Sequence, residues 1–118
     1  MQNNQNAQPK PTFRHGDVML VPISKLPEKM TPLPKAVLAL GEVTGHSHRM
    51  EGGAAVLYET APFEFDPAFD LEVTRVLRVA EESLLTHEEH KALTIPVGDY
   101  AVVPQRDYTP DGWAFVQD

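Results

Sequence analysis

The chain predicts an all-β fold, a small antiparallel barrel or sandwich, with one short helical turn near residues 82–90. Three observations predict it. Eleven prolines and seven glycines are spread over 118 residues, and proline at such intervals removes amide donors and breaks long helices. Apolar residues between Leu71 and Val79 recur at every second position, the period of a strand with one buried face. Clusters of turn-forming residues separate the short apolar runs, as in all-β chains.

In order, the first strand is Asp17–Val21, entered through His15-Gly16. A proline-rich connection follows through Pro22, Pro27, Pro32 and Pro34, and proline at these positions excludes a central strand. Residues 36–43 are apolar enough for a buried strand, and Gly45 ends it. His46 to Met50 begins another, with His46, His48 and Met50 on one face and Ser47, Arg49 and Glu51 on the other. Gly52-Gly53 predicts a tight hairpin turn into residues 54–59. Phe63 and Phe65 alternate before Asp66-Pro67. In the Leu71–Val79 strand, Leu71, Val73, Leu77 and Val79 share a face that Arg75 interrupts. Residues 80–90 form the one helical segment, where Thr86 and Glu89 stand at the spacing of a capping box. Leu93 and Ile95 return to strand. A turn at Pro96–Asp99 leads to the strand Tyr100–Val103, and a last hairpin is predicted at Tyr108–Trp113. The run Gly16-Asp17-Val18-Met19-Leu20-Val21-Pro22 is echoed by Gly98-Asp99-Tyr100-Ala101-Val102-Val103-Pro104, the pattern of two equivalent strands or of shared turn-and-strand grammar.

Composition sets limits on function. Residues 1–12 read as a disordered polar tail, and residues 13–118 as a single β domain of ordinary apolar content, 42%, large enough for its own core. No cysteine is present, so thiolate zinc sites, disulfide frameworks and cysteine nucleophiles are excluded. The net charge of -7 repels phosphate backbones and makes nucleic-acid binding a poor expectation. No apolar run reaches membrane-spanning length, and the first eleven residues have no apolar core of a secretory signal. A cytoplasmic location is therefore expected.

Four of the five histidines fall in two pairs, His46-Ser47-His48 and His87-Glu88-Glu89-His90. A His-x-His spacing puts both rings on one face of a strand, and His-x-x-His puts both on one face of a helical turn. Neutral imidazole is the commonest ligand for transition metals. If folding unites the pairs, His46, His48, His87 and His90 make a nitrogen-rich site for Zn, Fe, Mn or Ni. The second pair lacks the spacing of the His-Glu-x-x-His zinc proteases. Glu42, Glu51, Glu88, Glu89 and Asp107 are the oxygen donors available as ligands or as partners of a ligating ring. His15, at the entrance to the first strand, reads first as a turn residue, and otherwise as a further ligand or proton shuttle. Arg49, Arg106 and Tyr108 are either an anion-binding set beside the metal or ordinary ion-pairing groups.

Gly41, His46-Ser47-His48, Glu51 and Gly52 resemble the first motif of the cupins, with one residue fewer on each side of the histidine pair. Pro96-Val97-Gly98 resembles the start of the second motif, without its histidine. The resemblance spans roughly residues 41–103. It implies a double-stranded β-helix with a metal inside the barrel, His46, His48 and Glu51 as ligands, and open positions for a small acid, a diol or dioxygen. The function expected is thus a metal-binding β-barrel protein, catalytic or not, acting on a small-molecule ligand. The alternative is a non-catalytic protein-interaction module with no metal site. A homodimer is compatible with either.

Overall fold

The computed structural model describes residues 11–40, 46–52, 54–66 and 70–104. These form ten strands: β1 Phe13–His15, β2 Val18–Pro22, β3 Thr31–Pro32, β4 Val37–Leu40, β5 Ser47–Glu51, β6 Ala54–Glu64, β7 Glu72–Glu81, β8 Ser83–His87, β9 His90–Ile95 and β10 Gly98–Pro104. A six-stranded sheet runs β1-β2-β10-β7-β6-β3 and a four-stranded sheet runs β4-β5-β8-β9. The pairings are antiparallel. The all-β expectation holds, and of its two architectures the molecule adopts the sandwich-like one, not a closed barrel. Among the described residues no helix is long and apolar enough to cross a membrane. The tail at residues 1–10, Glu42 and the hairpin at 108–113 lie outside the described residues.

The sheets enclose the main core. Val18, Leu20, Leu57, Leu77, Val79, Tyr100 and Val102 of the larger sheet meet Leu38, Leu85 and Ile95 of the smaller one. Tyr100 is fully buried, with its hydroxyl donating to Pro96 O at 2.8 Å, which supplies the partner a buried phenol needs. A second cluster, Met19, Val21, Val73, Ala101 and Val103 with Phe63, Phe65 and Leu71 against it, covers the opposite face of the six-stranded sheet. Strands β2 and β10 are therefore buried on both faces. They are the two echoed segments, and they pair with each other: Tyr100 faces Pro22, Val102 faces Leu20 and Pro104 faces Val18. The repeat thus maps onto itself about a local two-fold axis through Leu20 and Val102.

The expected face of β7 is divided. Leu77 and Val79 enter the main core, whereas Leu71 and Val73 pack in the second cluster. The change coincides with a register shift between Glu59 and Phe63 on the facing strand. Arg75, which interrupts the pattern, donates from Nη2 to Leu38 O at 2.9 Å, tying β7 to β4. Near β1 and β9, edge strands of the two sheets, His15 Nε2 reaches Lys91 O at 2.8 Å. Side chains, not a backbone ladder, thus join the sheets at these two places.

Two local expectations are corrected. Residues 82–90 hold no helical turn: β8 and β9 form a hairpin that turns at Glu88-Glu89, and His87 faces His90. Ser83 and Leu85 are buried on either side of exposed Leu84, so strand periodicity and core burial outweigh a local capping pattern. Gly52 (φ +73°) does not open a hairpin either, because β5 and β6 belong to different sheets. The chain there crosses the sandwich.

Candidate metal centre

All five histidines of the chain meet at one end of the sandwich. His15 closes the β1–β2 hairpin opposite Val18, with Gly16-Asp17 as its turn. His87 and His90 close the β8–β9 hairpin in the same way. Their spacing of three, suited to a helix, is also that of direct partners across a two-residue turn. A bulge follows: from Leu85 to His87 the register advances two residues on β8 and three on β9. The extra residue restores His90 to the inward face used by Leu93, a common use of bulges. His48 lies on β5, and extending the Arg49–Thr86 register by one residue sets it opposite His87.

The rings pack closely. Centroids are 4.3 Å apart for His48 and His87, 4.8 Å for His87 and His90, 5.1 Å for His15 and His48, and 5.8 Å for His46 and His87. Gly16 makes this approach achievable. It has φ +61°, and a Cβ there would stand 2.7 Å from His90 Nε2 and 2.9 Å from His48 Cε1.

The cluster divides by chemistry. His15 and His48 are fully buried and committed to a hydrogen-bonded chain. Since Lys91 O only accepts, His15 Nε2 carries a proton. A neutral His15 then accepts at Nδ1 from His48 Nδ1, 3.0 Å away. This leaves the Nε2 lone pair of a neutral His48 facing Asp17 Oδ1 at 3.0 Å. Burial, then the neighbouring His87 and His15, push His48 down to about 4, and Asp17 opposes them. Above pH 6.5 His48 is neutral whether folded or unfolded, and its contribution to stability is fully present. That contribution is lost as pH falls from 6.5 through about 4, because the unfolded chain takes up the proton first. We expect Asp17→Asn, whose amide donates to the lone pair, to stabilise the fold by about 0.5–1 kcal/mol at pH 7. The gain should vanish towards pH 4, where an imidazolium prefers a carboxylate. Urea melts at pH 7 and pH 4.5 check this, and destabilisation at pH 7 would show that His48 carries the extra proton there.

The donors available to a cation are on the outer side of the cluster. His46, His87 and Glu88 offer one ligand atom each, all within 4.8 Å of one another. His46 Nδ1 is buried without a hydrogen-bond partner. Glu89 Oε2 lies 2.8 Å away but not in hydrogen-bond geometry. Glu88 is held by the Ser47 amide on Oε1 at 3.1 Å and by Arg49 Nη1 on Oε2 at 3.0 Å. Hydrogen bonds from its own amide and that of Ser47, then Arg49, bring its carboxyl down to about 2. His87 Nδ1 accepts the Glu89 amide at 3.0 Å, a bond that ligation at Nδ1 would replace.

Glu51 does not join the centre. It sits on the outward face of β5, where Arg49 Nε and Thr86 Oγ1 bind its Oε2 at 2.9 and 3.0 Å. Strand parity sets it opposite to His48. Arg49 is an ion-pairing residue of Glu51 and Glu88; Arg106, Asp107 and Tyr108 lie outside the described residues. His15, expected first as a turn residue and otherwise as a ligand or shuttle, is a buried member of the cluster, and Asp17 joins it without any role expected from sequence. The available signal was their position in a two-residue Gly-Asp hairpin turn.

Residues 14–105 match the family described as Domain of unknown function (DUF8820). The chain belongs to the DUF8820 family. The DUF8820 match runs from β1 to the end of β10 and takes in all five histidines, Asp17 and Glu88. Neither the curated proteins nor the solved structures contain a match to this DUF8820 chain.

Proposed function

We propose that this domain binds a divalent transition ion of the Zn, Fe, Mn or Ni class through His46, His87 and Glu88. The observation that carries the reading is His46 Nδ1, a buried ring nitrogen without a hydrogen-bond partner beside two further donors. The Glu89 carboxylate 2.8 Å away does not complete a hydrogen bond to it, and a cation would give this nitrogen the partner it lacks. Two imidazoles and one carboxylate suit borderline divalent ions. A bound ion at about 2.1 Å from each donor would require the three groups to close slightly. His48, whose Nδ1 donates to His15 and whose Nε2 faces Asp17, serves as packing for His87 in this reading. Three ligands leave coordination positions for a small molecule or water, where the ion would polarise an oxygen.

The test uses protein prepared without an affinity tag and stripped of metal. We expect about one Zn2+ per chain on titration, and stabilisation by about 2.7 kcal/mol at a free ion concentration one hundred times Kd. The double variant His46→Ala/His87→Ala should lose both effects. Stoichiometry far below one per chain, or binding unchanged in the double variant, would remove the proposal.

A further inference from the structure

We propose that Arg49 is a positioning residue, which presents Glu88 to the ion as a one-oxygen ligand and thereby sets which divalent ion the site prefers. This rests on the metal reading above.

Strand β5 carries both parts of the device. The chain just before it supplies His46, and its outward face supplies Ser47 and Arg49. Arg49 Nε is held by Glu51 Oε2 at 2.9 Å, and its Nη1 donates to Ser47 O at 2.9 Å and contacts Glu88 Oε2 at 3.0 Å. The other oxygen of Glu88 accepts the Ser47 amide. Each carboxylate oxygen therefore already has one donor. An ionised carboxylate offers about four lone-pair directions in all, and with the hydrogen bond from Glu88's own amide roughly one remains. Grasping an ion with both oxygens at once then competes with Arg49, whereas ligation through one oxygen does not.

That difference bears on ion choice. Large hard cations such as Ca2+ take carboxylates with both oxygens and collect many oxygen ligands, while Zn2+ accepts a single oxygen at about 2.0–2.2 Å. The guanidinium also withdraws charge from Glu88, which shifts the weight of binding to the imidazoles and favours Ni2+ and Zn2+ over Mn2+. The arrangement does little for the fold itself. The Arg49 and Glu88 side chains are 32% and 34% exposed, and ion pairs so exposed contribute little to stability. An effect of Arg49 should therefore be read at the metal.

The experiment titrates the metal-stripped full chain with Zn2+, Mn2+ and Ca2+, and records the visible spectrum of the Co2+ form. Arg49→Met should lose about 10- to 100-fold in Zn2+ affinity, narrow the preference for Zn2+ over Mn2+, and shift the Co2+ bands, while metal-free melting stays near wild type. Arg49→Lys, which keeps one charge but not the fork, should recover part of the loss. Wild-type Zn2+ affinity, ion preference and Co2+ spectrum in Arg49→Met would overturn this inference and leave the metal site standing. Failure of the wild-type chain to bind Zn2+, Mn2+ or Co2+ would overturn both.

Discussion

Replacing Gly16 with alanine is expected to lower stability by about 2–4 kcal/mol. Two costs combine. At φ +61° a residue with a Cβ sits in the left-handed region, which costs about 1–2 kcal/mol. The added methyl would also stand 2.7 Å from His90 Nε2 and 2.9 Å from His48 Cε1, closer than packed atoms approach, and overpacking costs about 1–3 kcal/mol. The rings have little room to yield, because His48 is fully buried, tied to His15 through Nδ1 and packed 4.3 Å from the His87 ring centroid. A domain of this size has about 5–15 kcal/mol in total, so the loss is a substantial fraction. Chemical denaturation measures it. A melting midpoint near wild type would mean that the imidazoles are not packed against this turn. Gly16→Ala should also weaken Zn2+ binding, since the displaced His48 and His90 rings are those packed against His87.

His15→Leu is the second large expectation, about 1–3 kcal/mol. Leucine has similar bulk, so cavity formation is small. What it removes is the imidazole that bridges His48 Nδ1 and Lys91 O. His48 Nδ1 would be left buried without a partner, which costs about 1–3 kcal/mol, whereas Lys91 is exposed and its carbonyl can turn to water. The loss should be partly local. The β1–β9 junction is tied by this side chain, so amides of β9 are expected to exchange faster with solvent while those of β2 and β10 remain protected. Uniform loss of protection across both sheets would show that His15 acts on the whole core and not on this junction. Because a leucine side chain cannot ligate, retained Zn2+ binding by the folded fraction of this variant would also keep His15 out of the ligand set.

Short-range features of this chain are legible where local periodicity and burial agree. The continuous apolar runs Val18–Val21 and Tyr100–Val103 mark strands, and both are central and buried on both faces. The parity that joins His46 and His48 also separates them from Glu51, so the sequence already argues against the glutamate that the cupin resemblance implies as a ligand. Legibility fails where a local pattern has two solutions. His87 and His90 stand three apart, which suits one helical turn and equally the closing pair of a two-residue hairpin. Thr86 and Glu89 favour the helix locally. The burial of Ser83 and Leu85 decides for the hairpin, and burial is a property of the packed sheets.

By itself the sequence determined the chemistry this protein can draw upon. It has no thiol, a surplus of carboxylates, five imidazoles in a β-rich chain, and a strand phase that puts His46 and His48 on one face. Tertiary structure alone decided that the five belong together. His15 and His90 are 75 positions apart, and their meeting depends on which strands pair across two sheets, on a one-residue bulge in β9 and on a glycine too small to block the rings. Pairing across such separations is set by the whole core, whose burial free energy far exceeds any preference a short segment carries.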